Sequence, residues 1–359
     1  MTSSAAALQE LRREFAARGW CRKPTVRILL QLLLSVGVTI AGAAVFLTVP
    51  SVLVRAAALV LAVAGSMGVG TNTHNSSHYA TSRKKWVNEF LTFFGYPFFL
   101  GLSATFWWQQ HVTVHHTSPN VIGVDQDADF APWLARTGNE VAGSSGLGRF
   151  YYEHVQWLVL PLLIGFNAFS MTKTGWAYLV RALLDSRRRT RKHWFDLAAM
   201  LLHYICLLLL PMLIFGPRAV LTLYLLRTVF AGYLMFAILA PGHFPAEAAC
   251  LSRAPDPSDY IRLQTFATIN FRVGWVGRWL CSGLEYQIEH HLFPGIAYVF
   301  YPAVSVLMQD FCRKNALPYR SYQWDHAIYK CLATFRRPPA ILETLDTTLE
   351  FAGDRNYPG

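Results

Sequence analysis

Long apolar runs alternate with polar, histidine-bearing stretches along this chain. The first run, residues 28–49, follows a polar segment that carries Arg12, Arg13, Arg18, Arg22, Lys23 and Arg27, and it ends at Pro50. At ~1.5 Å per residue it can cross a ~30 Å hydrocarbon core. It exceeds the roughly 7–15 apolar residues of a secretory signal, so a retained membrane helix is expected. A second run, residues 52–70, follows at once and predicts a tight hairpin with the first. The third and fourth runs, residues 197–215 and 219–240, predict another hairpin that turns at Gly216-Pro217. Between the hairpins, residues 90–108 and 155–171 are apolar and crowded with Trp, Tyr and Phe. That composition predicts helices lying at, or dipping into, the membrane interface. Either stretch could instead be a further span, and an even number of extra crossings keeps the termini on one side.

Charge orients these runs. The hairpin turns hold only Arg55 and Arg218, whereas the other side carries the basic N-terminus, Arg83-Lys84-Lys85 and the cluster Arg187, Arg188, Arg189, Arg191 and Lys192. Positive residues favour the cytoplasmic side, so residues 1–27, the middle segment and the C-terminus are expected there. Residues 28–359 read as one membrane domain, because no repeat or Pro/Gly/Ser-rich linker divides them. The composition agrees: 53% of the 359 residues are hydrophobic and only 15% charged, against about 25% charged in soluble domains. Mean hydropathy is +0.28. The net charge of +11 is accounted for by this cytoplasmic excess, and no nucleic-acid partner is expected. Six cysteines with no CxxC spacing read as reduced packing residues.

Histidine is the unusual count. Three clusters stand out among 12 histidines: His74-Asn75-Ser76-Ser77-His78, His111-Val112-Thr113-Val114-His115-His116 and Gln287-Ile288-Glu289-His290-His291. On an α-helix, positions i and i+4 share a face. His74 and His78 are thus expected to point at one centre, and His111 and His115 likewise, with His116 turned toward a neighbour. The pairs at 115–116 and 290–291 suit reaching two metals. An eighth histidine, His243, follows the fourth apolar run. Neutral imidazole binds Zn, Cu, Fe and Ni well; seven clustered rings exceed the four ligands of one tetrahedral zinc, so two metals of higher coordination are expected. All four groups fall on the predicted cytoplasmic side, next to the bilayer. His154, His193, His203 and His326 are isolated and read as packing or interface residues, and Arg227, inside the fourth run, as a charge that snorkels or pairs in the bundle.

The stretches HNSSH (74–78), HVTVHHTSPNVIGVDQD (111–127) and EYQIEHHLFPG (285–295) resemble the membrane fatty-acid desaturase family, in particular its front-end type whose third box begins with Gln. The resemblance implies an all-α membrane protein of four transmembrane helices with a cytoplasmic helical cap. It implies a non-haem di-iron centre held by His74, His78, His111, His115, His116, His243, His290 and His291. Gln287 stands where other branches place a ninth histidine, and its amide suits either an iron ligand or a holder of bound water. Asp125 and Asp127 match family acids that accept the outer N–H of ligand histidines. Trp107 and Trp108 are candidates for lining a substrate tunnel. Three positions depart from the family pattern: Asn75 where many relatives carry Asp, Gly242 where they carry Asn, and Glu285 where Asn or Asp is usual. The fused cytochrome b5 domain of many front-end members is missing from the sequence, so electrons are expected from a separate ferredoxin or cytochrome b5 type donor.

The implied activity is O2-dependent insertion of a cis double bond into a lipid-bound or thioester-bound acyl chain. Two neighbouring readings share the scaffold: a sphingolipid desaturase and a lipid hydroxylase. A membrane metal transporter is the remote alternative, because transport sites lie near the bilayer midplane and these histidines fall outside the predicted spans.

Overall fold

The computed structural model describes residues 4–345; residues 1–3 and 346–359, the two ends of the expected segments, lie outside the described residues. The first hairpin pairs helices Thr25–Thr48 and Val52–Ser77. Small residues bring the two backbones together. A Cβ on Gly42 would lie 2.6 Å from the Ala58 carbonyl, and one on Gly65 2.6 Å from the Thr39 amide. Ser35, Thr39 and Ser66 donate their hydroxyls to carbonyls one turn back, so the seam carries polar atoms without unpaired donors.

The second helix of this hairpin outruns the expected 52–70. Its 26 residues span ~39 Å, against a ~30 Å hydrocarbon core. Polar residues 71–77 continue the same helix because they are buried and packed by the cap. The first histidine box is therefore an extension of a membrane helix and shares its rigidity.

Where one interfacial helix is predicted over 90–108, the chain forms two arms, Lys85–Leu100 and Ala104–His115, bent at 118°. Asp196 fixes the tip. Fully buried, it accepts hydrogen bonds from Ser103 Oγ (2.7 Å), the Ala104 amide (3.1 Å) and the Thr105 amide (2.8 Å), and also from the Thr105 hydroxyl. His203 bonds the Phe98 carbonyl and the Tyr224 hydroxyl, each at 2.9 Å, which is the packing role expected of an isolated histidine. Arg227 lies over the Tyr224 ring and reaches the Ser66 hydroxyl at 3.5 Å.

The stretch predicted as an interfacial helix over 155–171 belongs to a 39-residue helix, Gly146–Leu184. The second hairpin follows as Arg191–Phe215 and Pro217–Gly242, turning at Gly216 with φ +81°, a left-handed conformation that suits glycine. Among the described residues, five helices are thus long and apolar enough to cross a membrane, or six if the bent pair counts as one. By length and composition this exceeds the four expected, since helices pack where the sequence pattern shows only mixed apolar stretches.

Beyond the hairpins lies a cap of helices Trp275–Cys281, Gln287–Leu292, Tyr301–Lys314 and Trp324–Arg336. One short parallel strand pair interrupts the helical pattern, with Asn270 opposite Ser321. The N-terminal segment joins this cap. Helix Ser4–Ala17 buries Leu11 and Phe15, and Phe15 meets Phe293 edge to face at 4.9 Å, just past the third box.

Candidate metal centre

Each histidine box arrives on a different kind of element. His74 rides the extended membrane helix, and His78 closes its C-terminal end. His111 and His115 sit on the returning arm of the bent pair, which is wound as a π-helix over Trp108–His115. His243 follows the fourth hairpin helix, and His290 and His291 lie on the short cap helix Gln287–Leu292.

All eight rings converge. His74, His78, His111, His116 and His290 place one ligand nitrogen each within 4.8 Å of one another, and His115, His243 and His291 form a second such group. The partition corrects one expectation. His111 shares its centre with His116, and His115 belongs to the other group. The cause is local winding: the His116 amide donates to the His111 carbonyl five residues back (3.1 Å), and this π-turn brings the His116 ring to 4.9 Å from that of His111. The neighbours His290 and His291 divide between the groups as expected.

The unpaired nitrogens show what this cage accepts. His78 Nε2, both nitrogens of His116, His243 Nδ1, His290 Nε2 and His291 Nε2 are buried without a hydrogen-bond partner. His74 Nε2 and His111 Nε2 face each other at 2.8 Å. Buried polar atoms are ordinarily paired, so this many orphaned imidazole nitrogens around one volume fit metal ions. Burial also keeps His78, His116, His243, His290 and His291 neutral, as metal ligation requires. It pushes His78 down to about 3 and lowers His116, His243, His290 and His291 well below the usual imidazole value, with neighbouring rings adding to the effect.

Outer partners orient the rings. His115 donates Nδ1–H to Asp125 at 2.8 Å. Burial alone would raise the Asp125 carboxyl, but His115 and the Asn120 amide hold it below the usual value. Asp127 lies farther from His111 Nδ1, at 3.5 Å. Gln264, absent from the sequence expectations, accepts from His291 Nδ1 at 2.9 Å and donates to the His116 carbonyl at 3.1 Å. Tyr301 reaches His290 Nδ1 at 3.3 Å. Arg136 is buried over the Phe244 ring, donating to Asn120 Oδ1 (3.0 Å) and to the His243 carbonyl. Gln264 and Arg136 are single polar residues outside any spaced motif, and no sequence signal marks them; Asn120 lies within the second matched stretch, 111–127, but nothing in that stretch singles out its role.

Two of the departures from the family pattern find physical reasons here. Gly242 makes room for Gln287. A Cβ at 242 would stand 2.3 Å from Gln287 Cγ, and Gln287 is buried beside the His243 side chain. Asn75 ties the loop after the first box, donating to Thr81 Oγ1 (2.8 Å) and accepting from the Tyr298 amide (3.3 Å). Glu285 is buried with Oε2 unpaired, and burial pushes its carboxyl up to about 7.

Trp107 and Trp108 buttress the boxes. Trp107 stacks on His111 at 4.2 Å, and the two indoles donate to Ser77 Oγ (3.2 Å) and the Ser77 carbonyl (3.1 Å). Cap residues line two cavities among the described residues. One, of about 500 Å³, is polar and includes Asn270, Arg272 and Tyr319; the other, of about 670 Å³, opens beside Leu30 and Leu34; Arg278, Glu285 and Tyr286 line both. Neither tryptophan lines either cavity.

The fatty acid desaturase family profile matches residues 50–323. The chain is 29% identical over 267 residues to a Delta(5) fatty acid desaturase of Caenorhabditis elegans, covering 70% of this chain and 56% of that protein. It is 30% identical over 268 residues to a Delta(8)-fatty-acid desaturase of Euglena gracilis, with 70% and 60% covered. It is 29% identical over 274 residues to a chloroplastic acyl-lipid (7-3)-desaturase of Chlamydomonas reinhardtii, with 70% and 50% covered. The chain thus spans between half and three-fifths of the length of these curated relatives. The matched residues run through every one of the eight histidines and most of the apolar helices, and the chain belongs to the fatty acid desaturase family of integral membrane proteins.

Proposed function

We propose that this chain is an O2-dependent acyl desaturase of the front-end type, with a two-iron centre held by the eight histidines. The observation that carries this reading is the division of the rings into groups of five and three around orphaned nitrogens. The reaction balances as –CH2–CH2– + O2 + 2e⁻ + 2H⁺ → –CH=CH– + 2H2O, with both electrons from an external ferredoxin or cytochrome b5 type donor. Bound iron would supply O2 activation and abstraction of hydrogen from unactivated methylenes. The protein's own part is orientation. Asp125 and Gln264 hold the protons of His115 and His291 on Nδ1 and aim Nε2 inward. Gln287, beside the three-histidine group, completes it directly or through water. The cap keeps bulk water from the rings.

The topology that fits is four crossings with the histidines and both termini cytoplasmic. The 39-residue helix, ~58 Å long, is read as lying obliquely at the interface rather than crossing it, because residues near both its ends meet elements assigned to the cytoplasmic side. Its contacts agree with an oblique path. Trp157 lies under Arg336 of the cap (5.2 Å), and Tyr178 lies beside His193 (6.1 Å) at the basic turn. Glu89 joins two basic stretches, at 2.7 Å from Lys192 and 3.9 Å from Lys85, a surface suited to an acidic electron donor.

Expression in a host of defined lipids, followed by mass spectrometry of the acyl chains, tests the reading. Loss of two hydrogens from one acyl species, abolished in His290→Ala, is expected. Gain of one oxygen would mark a hydroxylase, and identical profiles for both proteins would end the proposal.

A further inference from the structure

The cavity beside Leu30 and Leu34 is built differently from the metal cage. Its outer wall is membrane helix: Leu30 is 62% exposed and Leu34 57%, so it opens sideways to the bilayer. Arg27 and Arg278 stand at its rim, both exposed, and among the described residues neither pairs with a carboxylate. At its base lies Glu285, 5% exposed, with Oε2 lacking any partner. Trp275, Trp279 and Tyr286 supply aromatic faces between these charges.

The inner wall leads toward the histidines. Tyr298 lines the cavity; its hydroxyl donates to Gln31 Oε1 (2.7 Å) and lies 3.5 Å from Asn72 Nδ2, and its amide bonds Asn75. Asn72 and Asn75 flank His74, so one side chain separates this groove from the first box.

We infer that this groove holds the carrier end of the acyl substrate and takes it as a zwitterionic membrane phospholipid, with the phosphate on Arg27 and Arg278 and the headgroup ammonium against Glu285 and the aromatic faces. The inference rests on the desaturase reading. The arrangement supplies what such a headgroup needs. Two guanidiniums suit a phosphate. A buried carboxylate oxygen without a donor and neighbouring π-faces suit an ammonium. An acyl thioester from the aqueous phase shares the phosphate chemistry but carries no ammonium, and it has no need of a wall open to lipid.

Photo-crosslinking tests this on the purified full-length chain in nanodiscs, with three diazirine-bearing probes: phosphatidylethanolamine, phosphatidylglycerol and acyl-coenzyme A. Phosphatidylethanolamine is expected to label residues 25–38 and 275–302 most strongly. Exposed Arg27→Gln with Arg278→Gln should cut that labelling about tenfold, the order of one or two charge-assisted hydrogen bonds. Glu285→Gln should erase the preference for phosphatidylethanolamine over phosphatidylglycerol. Labelling elsewhere, equal yields from both lipids, or preference for acyl-coenzyme A would overturn the inference, whether or not lipid turnover is intact. Groove labelling in a protein that turns over no lipid would leave the groove standing and sink the desaturase reading instead.

Discussion

The two halves of the histidine centre are held in opposite ways. The five-ring group, His74, His78, His111, His116 and His290, is rich in imidazoles and thinly supported. Both nitrogens of His116 lack hydrogen-bond partners, and the outer bonds of His111 and His290 are long, at 3.5 and 3.3 Å. The three-ring group, His115, His243 and His291, is poor in ligands and firmly supported. Asp125 and Gln264 bond its rings at 2.8 and 2.9 Å, and Arg136 and Asn120 clamp the His243 carbonyl. The first half gains its geometry from ligand number. The second depends on each ring being aimed, and Gln287 stands where its set is short.

The largest expected effect breaks that contrast at its weaker point. His291→Ala leaves two imidazoles in the three-ring group and should reduce bound iron from two per chain to one, with turnover abolished. His78→Ala leaves four imidazoles in the other group, a full set for one metal, and should keep about two irons at weakened affinity. Metal analysis of both variants checks the asymmetry, and equal iron loss from both would contradict it.

Next is Gly242→Ala. The new methyl occupies the place of Gln287 Cγ and should weaken the three-ring metal by about 10–100-fold, the usual cost of disturbing an orienting partner, while the five-ring metal keeps its affinity. Asp125→Asn should act on the same half in the same range, through the lost carboxylate charge at the His115 Nδ1–H. Competition with a chelator reads both. Parallel weakening of the two metals would show that the halves are not separable.

The smallest effect concerns acid. In the folded metal-free protein, His78, His116, His243, His290 and His291 resist protonation, whereas in the unfolded chain they take up protons near pH 6.5. Below that pH the unfolded state binds more protons, so stability must fall as pH drops from 6.5 toward the folded value, about 3 for His78. The melting temperature of the metal-free protein should decline between pH 7 and 5, and at least as steeply when iron is bound, because ligated rings take up no protons in the folded state. A flat profile would mean that the rings are solvated.

The sequence made all eight converging histidines readable, because HxxxH, HxxxHH and QxxHH are local spacings and His243 follows an apolar run. It did not make readable which ring joins which group, because that depends on the π-winding of Trp108–His115, and no residue in that stretch announces it. Asp125 could be found by its place after the second box. Gln264 and Arg136 could not, since the histidine-bearing segments they bond lie 27 to 148 residues away. The two apolar hairpins were plain, but the first box proved to extend its membrane helix, because buried polar residues keep a helix going after hydrophobicity ends. The basic N-terminal segment looked like a tail, yet Leu11 and Phe15 are buried against the cap.

Iron stoichiometry with Mössbauer spectroscopy of the full-length chain, loaded with ⁵⁷Fe in membranes, tests the centre most directly. Two irons per chain are expected, with two inequivalent high-spin sites in the reduced state reflecting the five-ring and three-ring groups. A single iron per chain, or zinc retained in place of iron under the same loading, would contradict a two-metal cage.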